Sequence, residues 1–310
     1  MNRRAFPLVA VVVMLLAALV AWPQPVAAQE QPRLSFGVMA DVQYADRDAQ
    51  GGRHYRQSLA NLESCVADLN TKDLAFTIQL GDIIDRGKES FDRVLPIFNR
   101  LTMPKYHVLG NHDFPLPRPE VLAKLGMERA YYSFSHDNWR FVVLDTLDVS
   151  VDGGWPEDSE NHTQAAQWLE RLKSEGKPYA QPWNGGIGEQ QKQWLTDTLR
   201  EAEERGEKAI VFGHIPLLAE ASSQWALLYN HQEIAAILEA SGCVVAYLCG
   251  HDHAGGYAER NAIHHVTVQG MIEAPDQNAY AVVDLYDDRI EIRGVGKVPS
   301  RTLGLKSAGR

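Results

Sequence analysis

The stretch VVAYLCGHDHAGG, residues 244–256, joins an apolar run directly to two histidines that flank an aspartate. A continuous apolar run of this length is typical of a strand that is covered on both faces. Gly250 permits a tight turn after the run, and His251 and His253 follow two positions apart. Side chains two apart in an extended segment point to the same side. The stretch therefore predicts a buried strand that carries two imidazoles to one centre at its carboxyl end.

The same order, an apolar run followed by polar residues able to bind metal, occurs four more times in the chain. The runs cover residues 36–40, 75–80, 106–109 and 209–212. The polar residues that follow them are Asp41 and Gln43, then Asp82, then Asn111 and His112, and finally His214. Between some of the runs, residues 58–69, 189–204 and 231–240 have the apolar spacing of amphipathic helices. Alternating strands and helices predict an α/β fold.

Two regions depart from this alternation. Residues 131–144 predict a hairpin and residues 263–294 predict further strands, so that a second sheet is expected. Residues 149–188 are rich in Gly, Pro, Trp and acidic residues and predict a long excursion with one short helix. Excursions of this length on compact domains are often functional lids. We expect a single domain over residues 29–310, with a lid-like excursion at about 149–188.

The N-terminal residues have the features of an export signal. Arg3 and Arg4 give a basic start, residues 8–21 are apolar, and small residues at 26–28 resemble a cleavage site. A retained membrane anchor is the alternative, but a span needs about 20 apolar residues and prolines end this run. We predict that residues 1–28 are a signal peptide and that the mature protein is exported, periplasmic or secreted, without a stable membrane span. Adjacent arginines also occur in twin-arginine signals, so the export route stays open.

The charge of the chain limits its partners. The formal net charge of −10 becomes about −12 once residues 1–28, with two arginines and no acidic residue, are removed. A negative field of this size repels nucleic acid polymers and anionic lipid. We therefore expect no nucleic-acid partner, and a phosphate-bearing substrate would need a local cation. The three cysteines are too few for a disulfide scaffold.

The polar residues after the apolar runs form a coherent set of metal donors. In open α/β sheets, the loops beyond the carboxyl ends of the strands converge on one site. Convergence here would gather carboxylates, amides and imidazoles without thiolate, a donor set that suits manganese, iron or zinc. Each residue alone has an ordinary alternative, because Asp82 and Asp85 also fit helix caps and a lone histidine is commonly satisfied by a local hydrogen bond. The ordered set of five loops favours a metal centre.

These ordered motifs resemble those of the calcineurin-like metallophosphoesterases. The matching motifs are Asp41, GD at 81–82, GNHD at 110–113, GH at 213–214 and GHDH at 250–253. The resemblance implies a β-sandwich of two mixed sheets flanked by helices, and a catalytic centre with two divalent metal ions. It assigns one metal to Asp41, Gln43, Asp82 and His253, and the other to Asp82, Asn111, His214 and His251. Asp82 would bridge both metals.

Gln43 indicates which members of that superfamily the chain resembles, because most members have a histidine at this position. The hexapeptide DVQYAD at 41–46 is similar to that of the manganese-dependent ADP-ribose/CDP-alcohol diphosphatases, as are QLGDIID at 79–85 and GHDHAGGY at 250–257. This resemblance implies hydrolysis of a diphosphate bond in a small-molecule nucleotide substrate. It also implies Mn²⁺ as the metal, with Fe or Zn as alternatives.

The resemblance further indicates how a leaving group would be protonated. His112 would be the general acid, and Asp85 would orient its ring and hold it charged. Two other functions fit the same motifs: a phosphomonoesterase or cyclic-nucleotide phosphodiesterase of the same fold, and a non-catalytic metal-binding domain. The presence of His112 argues against the last, because a binding domain needs no proton donor.

Recognition of the nucleobase is left open by the sequence. Five aromatic residues lie near the motifs or in the excursion, namely Tyr44, Phe114, Trp155, Trp183 and Trp225. Each of them fits either base stacking or packing within the fold. Arg53, Arg56 and Arg86 fit either a distal phosphate or solvent-facing charge. The position and burial of each side chain in the folded protein distinguish these roles.

Overall fold

Twelve strands and six α-helices follow one another in the part of the chain that the computed structural model describes, residues 30–306. The strands are β1 (Leu34–Met39), β2 (Phe76–Gln79), β3 (Lys105–His107), β4 (Tyr132–His136), β5 (Trp139–Val143), β6 (Lys208–Phe212), β7 (Val244–Cys249), β8 (Gly256–Arg260), β9 (Ile263–Thr267), β10 (Ala279–Leu285), β11 (Arg289–Gly296) and β12 (Arg301–Gly304). The helices are α1 (Gln57–Leu69), α2 (Glu89–Phe98), α3 (Arg118–Leu125), α4 (Glu160–Ser174), α5 (Glu189–Glu204) and α6 (His231–Ala240). The predicted signal peptide lies outside the described residues. Within residues 30–306, no helix has both the length and the apolar character to cross a membrane.

The strands form two six-stranded sheets. The first has the order β12-β11-β10-β1-β2-β3, in which β1, β2 and β3 are parallel and β10 is antiparallel to β1. The second has the order β4-β5-β6-β7-β9-β8, with parallel pairs from β5 to β9 and an antiparallel strand at each edge. Helices connect β1, β2 and β3 of the first sheet and β5, β6 and β7 of the second, whereas β8 connects β7 to β9. The expected α/β sandwich of two mixed sheets is confirmed.

Aromatic side chains fill the space between the two sheets. Phe36 of β1 and Phe76 of β2 stack with their ring centroids 4.8 Å apart. Phe36 also makes edge contacts with Phe141 of β5 at 5.8 Å and with Phe212 of β6 at 5.9 Å. Aromatic pairs of this geometry contribute about 0.5–1.5 kcal/mol each beyond their buried area. This packing holds the sheets, and the loops at their ends, in fixed relative positions.

The helices and the hairpin predicted from the sequence are present. The predicted helices correspond to α1, α5 and α6, and α1 buries Leu62, Val66 and Leu69 on one face. The hairpin predicted at 131–144 is formed by β4 and β5, which pair antiparallel. The strands predicted at 263–294 are β9, β10 and β11. Hydrophobic spacing alone was sufficient for these elements because each depends on local periodicity.

Residues 149–188 form the predicted excursion, which is organised around α4. Its two ends are joined by a backbone bridge between Val149 and Gly186. Leu169 of α4 packs in a small hydrophobic cluster with Tyr229, which precedes α6. The excursion is therefore closed by this bridge between its two ends, and it packs against the rest of the fold along its helix.

Candidate metal centre

The five polar loops meet at the carboxyl ends of β1, β2, β3, β6 and β7. Main-chain hydrogen bonds join them to one another. The Gln43 N–H donates to the main-chain oxygen of Asp82 at 2.9 Å, which links the loops after β1 and β2. The His251 N–H donates to Oδ2 of Asp41 at 3.1 Å, which links the second sheet to the first. The convergence expected from strand order is therefore present in the structure.

Four of the predicted ligands lie together where these loops meet. One ligand atom each from Asp82, His214 and His251 lie within 4.8 Å of one another, and all three residues are buried. Nε2 of His214 lies 3.4 Å from Oδ2 of Asp82 and 3.3 Å from Oδ1 of Asn111. The rings of His214 and His251 have centroids 4.9 Å apart. The structure thus gathers the four side chains that the resemblance assigns to one metal.

Of the remaining predicted ligands, Gln43 contacts Asp82, and Asp41 and His253 lie next to each other. Nε2 of Gln43 donates to Oδ2 of Asp82 at 2.8 Å. Nε2 of His253 lies 3.6 Å from Oδ1 of Asp41, and both of these residues are buried. Asp82 thus contacts donors of both groups, Gln43 of one and His214 of the other, as a bridging carboxylate requires.

The donor set fits divalent cations. Oε1 of Gln43 is buried and has no hydrogen-bond partner among residues 30–306, which leaves an amide oxygen free for a cation. Nδ1 of His214 donates to the main-chain oxygen of Leu80 at 2.8 Å, and Nδ1 of His253 donates to Oε1 of Glu273 at 3.0 Å. These bonds leave Nε2 of each ring to face the carboxylates, as a metal ligand requires. Oxygen and imidazole donors without thiolate suit manganese, iron or zinc.

An open cleft with a volume of about 720 Å³ gives access to these donors. Its lining includes, besides predicted ligands, Arg53, His112, Asp152, Gln181, Trp183 and Trp225. Tyr44 is only 5% exposed and belongs to the core. Phe114 and Trp155 pack on the guanidinium of Arg118, at 5.0 and 4.4 Å. Of the five aromatic residues that the sequence left open, only the two tryptophans at 183 and 225 line the described cleft.

A family model for calcineurin-like phosphoesterases matches residues 34–255. The chain belongs to this family. The resemblance inferred from the ordered motifs is thereby confirmed. The phosphoesterase is 35% identical to the manganese-dependent ADP-ribose/CDP-alcohol diphosphatase of Oryza sativa subsp. japonica, over 88% of this chain and 94% of that protein. It is 32% identical to the Homo sapiens protein of the same name, over 92% of this chain and 96% of that protein.

Solved structures share the architecture of this phosphoesterase. A dimetal phosphatase from Danio rerio superposes with a TM-score of 0.82 at 31% identity, covering 89% of this chain and 100% of that chain. A purple acid phosphatase from yellow lupin has a TM-score of 0.54 at 13% identity, covering 89% of this chain and 55% of that chain. The second likeness concerns the fold alone.

Four predicted ligands of the phosphoesterase have a backbone conformation that L-residues rarely adopt. Asp41, Gln43, Asp82 and His251 have φ angles of 51°, 43°, 57° and 70°. They are four of the seven non-glycine residues with positive φ in the described part of the chain. Each such residue costs on the order of 1–3 kcal/mol, and it persists only where the surrounding structure holds it. Strain of this kind gathers at functional sites, and here it aims the side chains at one point.

Buried carboxylates make the centre attractive to positive charge. Burial alone would disfavour a charged imidazole, but Asp82 and Asp41 raise the pKa of His214 to about 9. Asp41 and Glu273 likewise raise the pKa of His253 to about 9 against the effect of burial. In spite of its own burial, Asp82 has a pKa held well below its usual value, chiefly by His214. Such a site suits divalent cations, which must displace the protons of these imidazoles when they bind.

His112 lines the cleft beside the donors, as a general acid requires. Its main-chain N–H donates to Oδ1 of Asp82 at 2.8 Å, which fixes it next to the shared carboxylate. Its ring Nδ1 donates to the main-chain oxygen of Asp85 at 3.0 Å and lies 3.4 Å from the Asp85 carboxylate. That carboxylate also accepts from Nε of Arg86 at 2.5 Å. Asp85 therefore contacts the ring chiefly through its carbonyl, and Nε2 is the ring atom available to a substrate.

Asp113 supports the centre, although the sequence did not reveal its part. Its buried carboxylate accepts the main-chain N–H groups of Gly110 at 2.8 Å, Asp82 at 3.0 Å and Ile83 at 2.9 Å. Burial, together with the charge of Asp82, raises the pKa of Asp113 to about 7. The bonds tie the loop that bears Asp82 to the loop that bears Asn111. Asp113 is the last residue of the GNHD motif, so the motif marked this position but did not indicate what its side chain does.

Asn184 is a second supporting residue that the sequence did not reveal. It is 0% exposed, and its Oδ1 accepts a hydrogen bond from Nε2 of His251 at 2.7 Å. Its amide nitrogen donates to the main-chain oxygens of Tyr179 at 3.0 Å and Trp225 at 2.8 Å. The excursion therefore contacts a predicted metal ligand directly, and it fixes which ring nitrogen of that ligand carries the proton.

We expect Gly110→Ala to weaken metal binding. An added Cβ would lie 2.1 Å from Oδ1 of Asp82 and 2.2 Å from its main-chain nitrogen, so the Asp82 loop would have to shift. Loss of such support costs roughly 10- to 100-fold in metal affinity, which a Mn²⁺ titration followed by the electron paramagnetic resonance of free Mn²⁺ measures. Gly304→Ala is the matched control, since no atom of the described chain lies within 4 Å of its added Cβ. Equal affinities in the two variants would contradict this arrangement.

We also expect Asn184→Ala to lower the affinity for Mn²⁺ by roughly 10- to 100-fold, because His251 loses the acceptor that orients its ring. Asn184→Asp keeps an acceptor oxygen and should recover part of the loss. Isothermal titration with Mn²⁺ measures both. Asn161→Ala is the control, because this asparagine of the excursion donates to the main-chain oxygen of Asp148 at 2.8 Å and does not line the cleft. If Asn184→Ala binds Mn²⁺ as tightly as that control, Asn184 does not orient the ligand.

Proposed function

We propose that the protein is a metal-dependent hydrolase that cleaves the diphosphate bond of nucleoside diphosphate derivatives such as ADP-ribose or a CDP-alcohol. The observation that carries this proposal is the convergence of all seven predicted donors where the five loops meet, with Asp82 in contact with donors of both groups. The rice and human relatives, which are similar to this protein over most of its chain, are named as ADP-ribose/CDP-alcohol diphosphatases. A net charge of −10 also favours a small-molecule substrate over a nucleic acid polymer.

Two divalent ions, Mn²⁺ in this proposal, would be held by the two groups of donors around Asp82. Bound there, they supply Lewis-acid neutralisation of the charge that develops on the phosphoryl oxygens. The protein keeps the donors rigid and out of water, since Asp41, Asp82 and His214 are each at most 1% exposed. Fixed, buried groups of this kind need little reorganisation during the reaction.

His112 is the residue that would protonate the leaving oxygen. Its Nδ1 is directed at Asp85, so Nε2 is the atom that gives the proton to the departing group. In a nucleoside diphosphate derivative the departing group is a phosphomonoester, which leaves more readily than an alkoxide. The contribution of His112 therefore depends on the substrate.

Arg53 would hold the phosphate that is farther from the donors. Among the described residues that line the cleft, it is the only lysine or arginine. Its side chain is 35% exposed and lies 3.7 Å from the buried carboxylate of Asp85, so it is anchored but accessible. A guanidinium pairs with phosphate through two parallel hydrogen bonds. Arg56, in contrast, pairs with Asp46 and Asp48.

A substrate panel tests the proposed activity. With Mn²⁺ added to the purified protein, we expect kcat/KM to be higher for ADP-ribose or CDP-choline than for a 2',3'-cyclic nucleotide or p-nitrophenyl phosphate. Chelation of the metal should abolish turnover, and added Mn²⁺ should restore it. Strong preference for p-nitrophenyl phosphate, with ADP-ribose left intact, would instead support the phosphomonoesterase function.

The same panel examines His112. His112→Ala should lower kcat on every substrate that is cleaved, and it should lower kcat least where the leaving group is a phosphate. His136→Ala is the matched control, because this histidine is exposed on β4 and does not line the cleft. Unchanged turnover of every substrate by His112→Ala would remove His112 from the proposed mechanism.

We further propose that the protein is exported and that its first 28 residues are removed as a signal peptide. The basic start, apolar run and small-residue site in the sequence support this proposal. N-terminal sequencing of protein recovered outside the cytoplasm should begin at Gln29. Recovery of a chain that begins at Met1 and stays in the cytoplasm would contradict export. Retention of an Arg3→Lys, Arg4→Lys double variant would identify the twin-arginine route.

A further inference from the structure

Two tryptophans stand out at the rim of the cleft. Among residues 30–306, the large hydrophobic side chains that are exposed are Trp183, at 39%, and Trp225, at 44%. Both line the cleft of the metal centre, although they come from separate segments, the excursion and the short turn of helix at Gln224–Ala226. Single exposed apolar residues are ordinary, but exposed apolar rings that line one cleft together are typical of a ligand-binding groove. Their position therefore points to a ligand that occupies the cleft.

The backbone that carries these rings is fixed to the metal centre. The side chain of Asn184, the residue next to Trp183, donates to the main-chain oxygen of Trp225 at 2.8 Å. The same side chain accepts from His251 at 2.7 Å, and the ring of Trp225 lies 6.4 Å from the ring of His251. Both tryptophans are thus attached to the residue that orients a predicted metal ligand. A group held by these rings would lie beside a phosphate at the centre.

The surroundings of the rings indicate what kind of group they accept. Every nucleobase has a π-face, so stacking on tryptophan tolerates purines and pyrimidines alike. Hydrogen bonds to the base edge would be needed for strict selectivity. Gln181, which also lines the cleft, already donates to the main-chain oxygen of Pro178 at 2.9 Å. The two indole faces are therefore the apolar surface that the rim offers to a base.

We propose that Trp183 and Trp225 form a nucleobase subsite that binds adenine and cytosine by stacking, with little preference between them. The proposal deepens the proposed function, because it relies on the metal centre to hold the phosphate of the same molecule. It assigns the tryptophans to substrate binding, and it leaves bond cleavage to the residues around Asp82.

Binding of reaction products to the Mn²⁺-loaded full-length protein tests this subsite. Isothermal titration would compare AMP and CMP with ribose 5-phosphate, which has the same sugar and phosphate but no base. We expect AMP and CMP to bind tighter than ribose 5-phosphate by roughly 5- to 150-fold, the range that stacking of one base provides. AMP and CMP should bind within about tenfold of each other if the base edge is not read. Equal binding of all three ligands would overturn the proposal.

Variants of the two tryptophans identify the rings that are responsible. Trp183→Ala and Trp225→Ala should each reduce the affinity for AMP and leave the affinity for ribose 5-phosphate unchanged, whereas Trp225→Phe should retain most of the base effect. Trp194→Phe is the control, because Trp194 packs on Tyr131 at 4.8 Å and does not line the cleft. A parallel loss of AMP and ribose 5-phosphate binding would show contact with the sugar or phosphate, and it would also overturn the subsite.

The two proposals fail separately. If ADP-ribose is hydrolysed and the tryptophan variants bind AMP as the unaltered protein does, the subsite is wrong and the diphosphatase function stands. If AMP binds tighter than ribose 5-phosphate through the tryptophans but no diphosphate is cleaved, the subsite stands and the proposed function is wrong.

Discussion

The centre depends on one buried carboxylate, that of Asp82. Its Oδ1 accepts the main-chain N–H of His112 at 2.8 Å, and its Oδ2 accepts from Gln43 at 2.8 Å. The main-chain N–H of Asp82 in turn donates to the carboxylate of Asp113 at 3.0 Å. A buried charge is costly unless it is both hydrogen-bonded and paired. These bonds, with His214 at 3.4 Å, keep an ionised carboxylate where loops from two sheets meet. Displacement of any one loop would remove a partner and leave the charge less well stabilised.

The sandwich explains why loops so distant in sequence keep their geometry. Asp82 follows β2 of the first sheet, whereas His214 follows β6 of the second. Phe212, the last residue of β6, contacts Phe36 of β1 at 5.9 Å, only two positions before His214. The aromatic layer between the sheets thus sets the separation between the carboxylate and the imidazole. Packing in the core therefore also fixes the geometry of the site, because close-packed interiors transmit small shifts.

Local patterns made the fold class and the positions of the donors predictable. Asp82 and His251 each follow an apolar run, and the rule that loops converge at carboxyl ends of strands then places them together. The contact of Asn184 with His251 joins residues 67 positions apart and depends on how the excursion folds, which no periodicity marks. The acceptor for the ring of His112 is a main-chain oxygen, and main-chain atoms carry no sequence signature. Exposure separated Trp225 from the less exposed aromatics such as Tyr44 and Phe114, and exposure follows from tertiary packing.

Charge connects metal binding to substrate binding. Asp82 and Asp152 line the described cleft and repel a diphosphate, whereas Arg53 and the protonated imidazole of His253 attract it. The carboxylates are also the groups that favour cations, and two divalent ions bound beside them would add positive charge where the phosphates lie. Metal and phosphate therefore strengthen each other's binding, and this linkage is reciprocal. The indoles of Trp183 and Trp225 are uncharged, so the base end of a nucleotide is held independently of the metals. Binding of the phosphate end depends on whether the metal ions are bound. Binding of the base end favours nucleotides over phosphates that have no base.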